Sequence, residues 1–293
     1  MRHSEISPLK IYGFFALCLV MAVMMPRAAA AQERSAVDLP ILFDTRERIA
    51  RPDLSGIVRL RFLTTVDFPP FNFIDQTGKL AGFHVDLVRE ICRELALTEK
   101  CQIQAVTFPE LEKALVDGNG EAVAAGVAVT ADLRKRFLFS RPFMRLPARF
   151  AVTKKAPPAG ETAAALDGKR VGVVAASAHE AMLKAFFPRL KAEVFPDRTA
   201  LLASLKDGKV DAVFGDGMQL AFWTNGTESA GCCRLFDGPY VSEQFLGEGL
   251  TIMFRKEDTA IAGAIDHALL ALSRNGRLQE IYLRYFPVNL YGG

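Results

Sequence analysis

An acid stands at the end of an apolar run where Ala212-Val-Phe-Gly leads into Asp216, with Gly217 next. A carboxylate presented at the end of a buried strand suits an ammonium group, which it holds through charge-assisted hydrogen bonds. Its plainer alternative role is to cap the following turn. A second candidate group lies in Phe68-Pro-Pro-Phe-Asn-Phe, where two prolines fix the backbone and remove amide donors. A ring on so stiff a loop can form a flat wall against a ligand. Phe71 and Phe73 are expected to pack inward, and Phe68 either packs with them or faces a ligand. His179 beside Glu180 could exchange protons, but at a helix start the pair reads as ordinary surface.

No nucleophile and base stand at a catalytic spacing, and there is no phosphate-binding loop. The four histidines, His3, His84, His179 and His267, form no metal-ligand spacing with the cysteines. No catalytic residue, cofactor or metal is therefore expected. The formal charge of the 293-residue chain is +3. Losing Arg2, Lys10 and Arg27 against Glu5 would leave +1, with no electrostatic footprint for nucleic acid.

Arg2, His3 and Lys10 precede an apolar run from Ile11 to Met25 and the small residues Ala28 to Ala31. This is the layout of a secretory signal peptide, cleaved near Ala31. The run falls short of the roughly twenty residues of a spanning helix, so the product is expected outside the cytoplasmic membrane, in the periplasm. Of the cysteines left there, Cys92 and Cys101 are close enough to tie a helix end to the next strand. Cys232 and Cys233 are adjacent, where a bridge would be strained, and the pairing stays open.

The elements that must position these groups alternate. A strand over 58–65, the proline loop, and a helix through Val85, Leu87, Val88, Ile91, Cys92 and Leu95 come first. A strand over 102–107, a helix over 108–117 and a strand near 122–125 follow, then another over 148–153 and the linker chemistry of Lys155-Ala-Pro-Pro-Ala-Gly. A second α/β series begins at Lys169. Glu110-Leu-Glu-Lys-Ala-Leu-Val-Asp-Gly in the first is answered by Leu201-Leu-Ala-Ser-Leu-Lys-Asp-Gly in the second. The expected fold is α/β, with two Rossmann-like lobes joined by two hinge crossings. Residues 1–31 are the signal peptide. Lobe 1 covers 32–152 with a surface leader over 32–56, lobe 2 covers 153–248, and 249–293 return to lobe 1. Ligands gather at the carboxyl ends of strands and between lobes, so function is expected on the loops there.

In Asp67-Phe-Pro-Pro-Phe-Asn-Phe, Gly82-Phe-His-Val-Asp-Leu, Phe108-Pro-Glu-Leu-Glu-Lys-Ala-Leu, Ala125-Gly-Val-Ala-Val-Thr, Phe139-Ser-Arg-Pro-Phe and Lys209-Val-Asp-Ala-Val-Phe-Gly-Asp, the chain resembles the family-3 bacterial extracellular solute-binding proteins. The resemblance spans roughly residues 58–286 and implies a type 2 periplasmic binding protein that closes on an amino acid. It implies a stacking aromatic at Phe68, an amine-binding acid at Asp216, and a carboxylate-binding loop through Gly126, Ala128 and Thr130. Here the chain departs from the family. Leu133 holds the place of the carboxylate-binding Arg and Ala128 that of a hydroxyl, while Arg134 lies one residue later. Either a shifted helix brings Arg134 in as the clamp, or the pocket does not hold an α-carboxylate. Arg134, Lys135 and Arg136 read equally as a solvated face.

Ser177 matches a helix-opening hydroxyl, a role an N-cap would also explain, and Ala178 replaces the second one. Glu248 could border the cleft. The implied partners are a small-molecule ligand and the membrane permease of an ABC importer, with a monomeric receptor. Two alternatives are a ligand-sensing subunit for a membrane receptor, or an enzyme of the cyclohexadienyl dehydratase type, which resembles this family.

Overall fold

The computed structural model describes residues 42–44, 46–286 and 290–291, so the expected signal peptide lies outside the described residues. Regular structure starts at β1 (Leu60–Thr64). The strand begins later than its β-branched run predicts, because Val58 is 86% exposed. Next come β2 (Asp67–Phe68), β3 (Asn72–Ile74), β4 (Leu80–Ala81), α1 (Phe83–Glu94), β5 (Cys101–Ala105), α2 (Leu111–Val116), β6 (Ala122–Val123), α3 (Ala131–Arg136) and β7 (Phe137–Phe139). The second series holds β8 (Ala148–Thr153), β9 (Arg170–Val174), α4 (Ala178–Phe186), β10 (Lys191–Phe195), α5 (Arg198–Lys206), β11 (Ala212–Asp216), α6 (Gly217–Asn225), β12 (Cys233–Tyr240) and α7 (Glu243–Leu246). The chain ends in β13 (Met253–Arg255), α8 (Thr259–Arg274) and α9 (Arg277–Tyr285).

These strands build two five-stranded sheets, in the orders β5-β1-β6-β13-β7 and β10-β9-β11-β8-β12, and a small antiparallel sheet β2-β3-β4. Leu60, Phe62 and Leu63 of β1 are fully buried, as are Val171 and Val173 of β9. That is what strands paired in parallel on both sides require. In α1 the residues at helical spacing, Leu87, Val88, Ile91 and Cys92, face the first core, while Arg89 and Arg93 point outward. The same core takes in α8, α9 and Phe43. The leader is thus more than a surface wrap: His267 Nδ1 meets the Ile49 carbonyl at 2.7 Å, and the Arg51 guanidinium donates to the Leu95 carbonyl at 2.6 Å.

The strand Ala148–Thr153 was expected ahead of the first crossing, but it pairs antiparallel with β11 and β12 in the second sheet. The chain therefore leaves the first sheet after Phe139 and enters the second at Ala148. It returns between Tyr240 and Met253, and the two crossings touch: the Leu250 N–H donates to the Met144 carbonyl at 2.7 Å. Gly249 makes this approach possible, since a Cβ there would lie 2.5 Å from the Met144 oxygen. The helix Gly217–Asn225 and the strand Cys233–Tyr240 had no periodic signal strong enough to be read. Both cysteine pairs are bonded: Cys92 to Cys101, joining α1 to β5, and Cys232 to its neighbour Cys233.

The faint internal repeat has a structural counterpart. The helices α2 and α5 both run into Asp-Gly, with Gly118 at φ +71° and Gly208 at φ +72°, and each is followed four residues later by a strand, β6 parallel to β1 and β11 parallel to β9. Arg61 on β1 binds Glu121 and the Gly118 carbonyl, and Arg170 on β9 binds Asp211 and the Gly208 carbonyl. The two copies differ in exposure. Arg61 and Glu121 are 12% and 14% exposed, Arg170 and Asp211 45% and 39%. Breaking a sheltered pair leaves a desolvated charge behind, whereas an exposed pair contributes about 1 kcal/mol or less. Arg61→Ala should accordingly lower the unfolding free energy by about 2–3 kcal/mol and Arg170→Ala by under about 1. Urea denaturation of the two variants against the parent measures the difference.

Candidate functional site

The sequence-predicted groups follow strands: Phe68 ends β2 of the small sheet, Gly126 follows β6, Ser177 follows β9 and Asp216 ends β11. Phe68 closes β2, and its ring lies on Phe71, with centroids 4.7 Å apart and planes at 24°. Phe71 is fully buried and meets Phe83 edge-on at 5.9 Å and Phe286 at 5.4 Å. Phe73 is half-buried. The loop is fastened to α1, because the Phe83 and His84 amides, which have no partner within their own helix, donate to the carbonyls of Pro70 and Phe71 at 3.0 Å. Gly82 allows this closeness: at φ +128°, any Cβ would lie 2.1 Å from the Phe71 oxygen. Across the loop Gly126, at φ +72°, lies under the Phe68 ring, and a Cβ there would come within 2.7 Å of a ring carbon. The structure thus brings Phe68 and Gly126 together.

Behind this wall is a buried polar pair that the sequence did not single out. The His84 ring, inside the cluster of Phe71, Phe83 and Phe143, meets Asn72 Oδ1 through Nδ1 at 2.9 Å. Complete burial pushes its pKa down to about 3, so the imidazole is neutral at physiological pH.

The carboxylate loop is arranged differently from the expectation. Ala128 is exposed and Thr130 caps α3, its Oγ1 accepting from the Leu133 amide at 3.1 Å. Leu133 packs against the core around Leu111 and Phe137. Arg134 does not present a free clamp: its Nε donates to Glu248 Oε1 at 3.0 Å, its Nη2 to Glu248 Oε2, and its guanidinium lies 5.9 Å from the Phe139 ring centroid. The guanidinium that a shifted helix would bring to a ligand carboxylate is paired here with a carboxylate of this chain. Glu248 thus borders α3 from the return crossing.

In the second series Ser177 caps α4, accepting from the Glu180 amide at 3.1 Å and donating to the Val174 carbonyl at 2.7 Å. Asp216 both ends β11 and caps α6, its Oδ1 accepting from the Gln219 amide at 2.9 Å. Burial raises the Asp216 pKa, against the pull of that helix-end hydrogen bonding and of His179. Burial likewise lowers the pKa of His179, whose ring stands edge-on to Phe214 at 6.2 Å. His179, which the sequence placed on ordinary surface, is therefore a neighbour of Asp216. A buried acid disfavoured in its charged form gains most from an incoming cation.

A model of the bacterial extracellular solute-binding proteins, family 3, matches residues 60–288. This chain belongs to that family. Its relatives include the L-arginine-binding protein of Pseudomonas aeruginosa, 30% identical over 77% of this chain and 86% of that protein. Another is the ABC transporter arginine-binding protein 1 of Escherichia coli, 26% identical over 80% and 93%. The histidine-binding periplasmic protein of Salmonella typhimurium is 25% identical over 80% and 90%. These relatives are binding proteins. Among solved structures, the L-cystine solute receptor of Neisseria gonorrhoeae in its unliganded open conformation superposes with a TM-score of 0.68 at 16% identity, over 80% of this chain and 95% of that one. That likeness establishes the type 2 periplasmic binding protein fold of this solute-binding protein.

His84 gives the site a measurable signature. Unfolded, it takes up a proton near its ordinary pKa of 6.5; folded, only near pH 3. Between those values the unfolded state binds more protons, so stability falls as pH falls, by about 1.4 kcal/mol for each unit of pKa separation traversed. Urea midpoints measured from pH 7 down to pH 4 should decline in the parent. In His84→Asn that part of the slope should disappear.

Proposed function

We propose that this protein is a periplasmic receptor that captures a small polar solute, an amino acid or a related amine, and hands it to the permease of an ABC importer. The observation that carries the reading is Asp216: an acid raised in pKa by burial, at the carboxyl end of β11, with His179 beside it. Such a group recognises an ammonium or guanidinium. Phe68, held flat on Phe71 and against Gly126, supplies the opposing apolar wall. Ser177 and Thr130 line the loops as helix caps whose hydroxyls and nearby amides border the solute, with Ala128 an open position. The division into lobe 1 over 32–152, lobe 2 over 153–248 and a return to lobe 1 over 249–293 is kept, except that β8 joins the second lobe. The lobes close about the paired crossings at Met144 and Leu250, and a ligand that prefers the closed form shifts the population toward it.

The relatives that bind arginine, histidine and lysine favour a cationic amino acid as ligand. Expected location and partners follow the same pattern: outside the cytoplasmic membrane, one solute, one membrane permease, and no reaction.

Calorimetric titration with L-arginine, L-histidine and L-lysine tests the reading. At least one should bind, and Asp216→Asn should weaken it by at least about 30-fold, the cost of removing one member of a sheltered charge pair. Binding a cation lowers the raised Asp216 pKa, so the bound state holds fewer protons and affinity should fall as pH drops from about 7 to 4. That dependence should be absent in Asp216→Asn. A protein that binds none of the three amino acids and none of the corresponding amines would refute the proposal.

A further inference from the structure

With Arg134 engaged by Glu248, the cleft needs another cation if its solute carries an acid. Beside the Phe68 loop lies a cavity of about 980 Å³, lined on one side by Asp67, Phe68, Pro69 and Pro70 and on the other by α5 and α6. Two cations face it, Arg198 and Lys206. The Lys206 ammonium is already committed, donating to the Glu228 carbonyl at 2.9 Å.

Arg198 is different. It stands on the first turn of α5 and is exposed. Among the described residues its guanidinium has no hydrogen-bond or ion-pair partner. The neighbouring acid, Asp197, is occupied as the helix cap, accepting from the Ala200 amide at 2.8 Å. The arginine is also near enough to Asp216 for its charge to favour the ionised carboxylate, so the two groups lie within electrostatic reach of one another. Met218 and Gln219, one turn into the helix that Asp216 caps, line the same cavity.

We propose that Arg198 is the carboxylate-binding residue of this cleft. The solute is then a zwitterion: its cationic group goes to Asp216, its acid to Arg198, and its carbon skeleton lies along Phe68. A guanidinium offers two parallel N–H donors that match a carboxylate, and an unpartnered, solvated one can engage it without first breaking an internal ion pair. The inference rests on the receptor reading above and names the residue that makes the pocket prefer an amino acid to an amine.

The test uses the full chain and four probes: L-arginine and L-histidine, and agmatine and histamine, the same molecules without the carboxylate. Trp223, the only tryptophan, lines the cavity, so its fluorescence follows binding alongside calorimetry. The parent should bind an amino acid at least tenfold more tightly than its decarboxylated counterpart. Arg198→Ala should abolish that preference by weakening the amino acid alone, and Arg198→Lys, which keeps the charge but not the fork, should restore part of it. Thermal unfolding of both variants should match the parent. An unchanged preference in Arg198→Ala, a preference lost in Arg134→Ala instead, or equal binding of amine and amino acid by the parent would each overturn the assignment while leaving the receptor reading intact. If none of the four probes binds the parent, the receptor reading fails and Arg198 fails with it.

Discussion

Two sheets share one chain through two short crossings, and the contact between those crossings is the constraint on which the rest of the structure depends. The Leu250 amide reaches the Met144 carbonyl at 2.7 Å because Gly249 carries no side chain. A single crossing would leave the two sheets on a tether. A pair joined by backbone hydrogen bonds restricts the accessible motion to bending about one line, the geometry of a hinge. Other groups gather at the same place: Arg145 pairs with Glu243 and its carbonyl accepts from the Tyr291 hydroxyl, while Arg149 on the first residues of β8 donates to the Leu290 carbonyl at 3.3 Å. Residues far apart in the chain are therefore fastened to the junction itself.

Around this junction the two series use one design with different burial. Both place a strand arginine, Arg61 on β1 and Arg170 on β9, on an acid that precedes a parallel neighbouring strand and on a glycine carbonyl at a helix end. In the first series the pair is sheltered; in the second it meets water. The cleft side divides in a similar way. The first series offers an apolar wall, Phe68 on Phe71, backed by aromatic rings and a neutral His84. The second offers charge, with Asp216 and His179 at strand and helix ends.

The fate of Arg134 explains why a motif departure is a poor guide to what replaces the missing group. Moving the arginine one residue along a helix turns its side chain by about 100°. In this chain the half-buried Leu133 packs against the core and the guanidinium goes to Glu248, 114 residues away in sequence. The cation still serves the structure, since it ties α3 to the return crossing. The cavity keeps an arginine, but on a different helix and from the other series.

What the sequence determined by itself is what neighbouring residues decide. The helical spacing of Leu87, Val88, Ile91 and Cys92, the apolar runs of β1 and β9, the prolines that stiffen the Phe68 loop, and the acid ending β11 are local features, and each held its place. The family was legible for the same reason, because its motifs are short and ordered. Only the tertiary structure decided which sheet Ala148–Thr153 joins, since its antiparallel partners come some 60 to 90 residues later. It alone buried His84 against Asn72, put His179 beside Asp216, engaged Arg134 with Glu248 and set Arg198 on a cavity with no partner among the described residues. The physical reason is common to all of these. The partner and the surrounding dielectric of a charged or polar side chain are set by segments that only folding brings near, and no spacing along the chain encodes them.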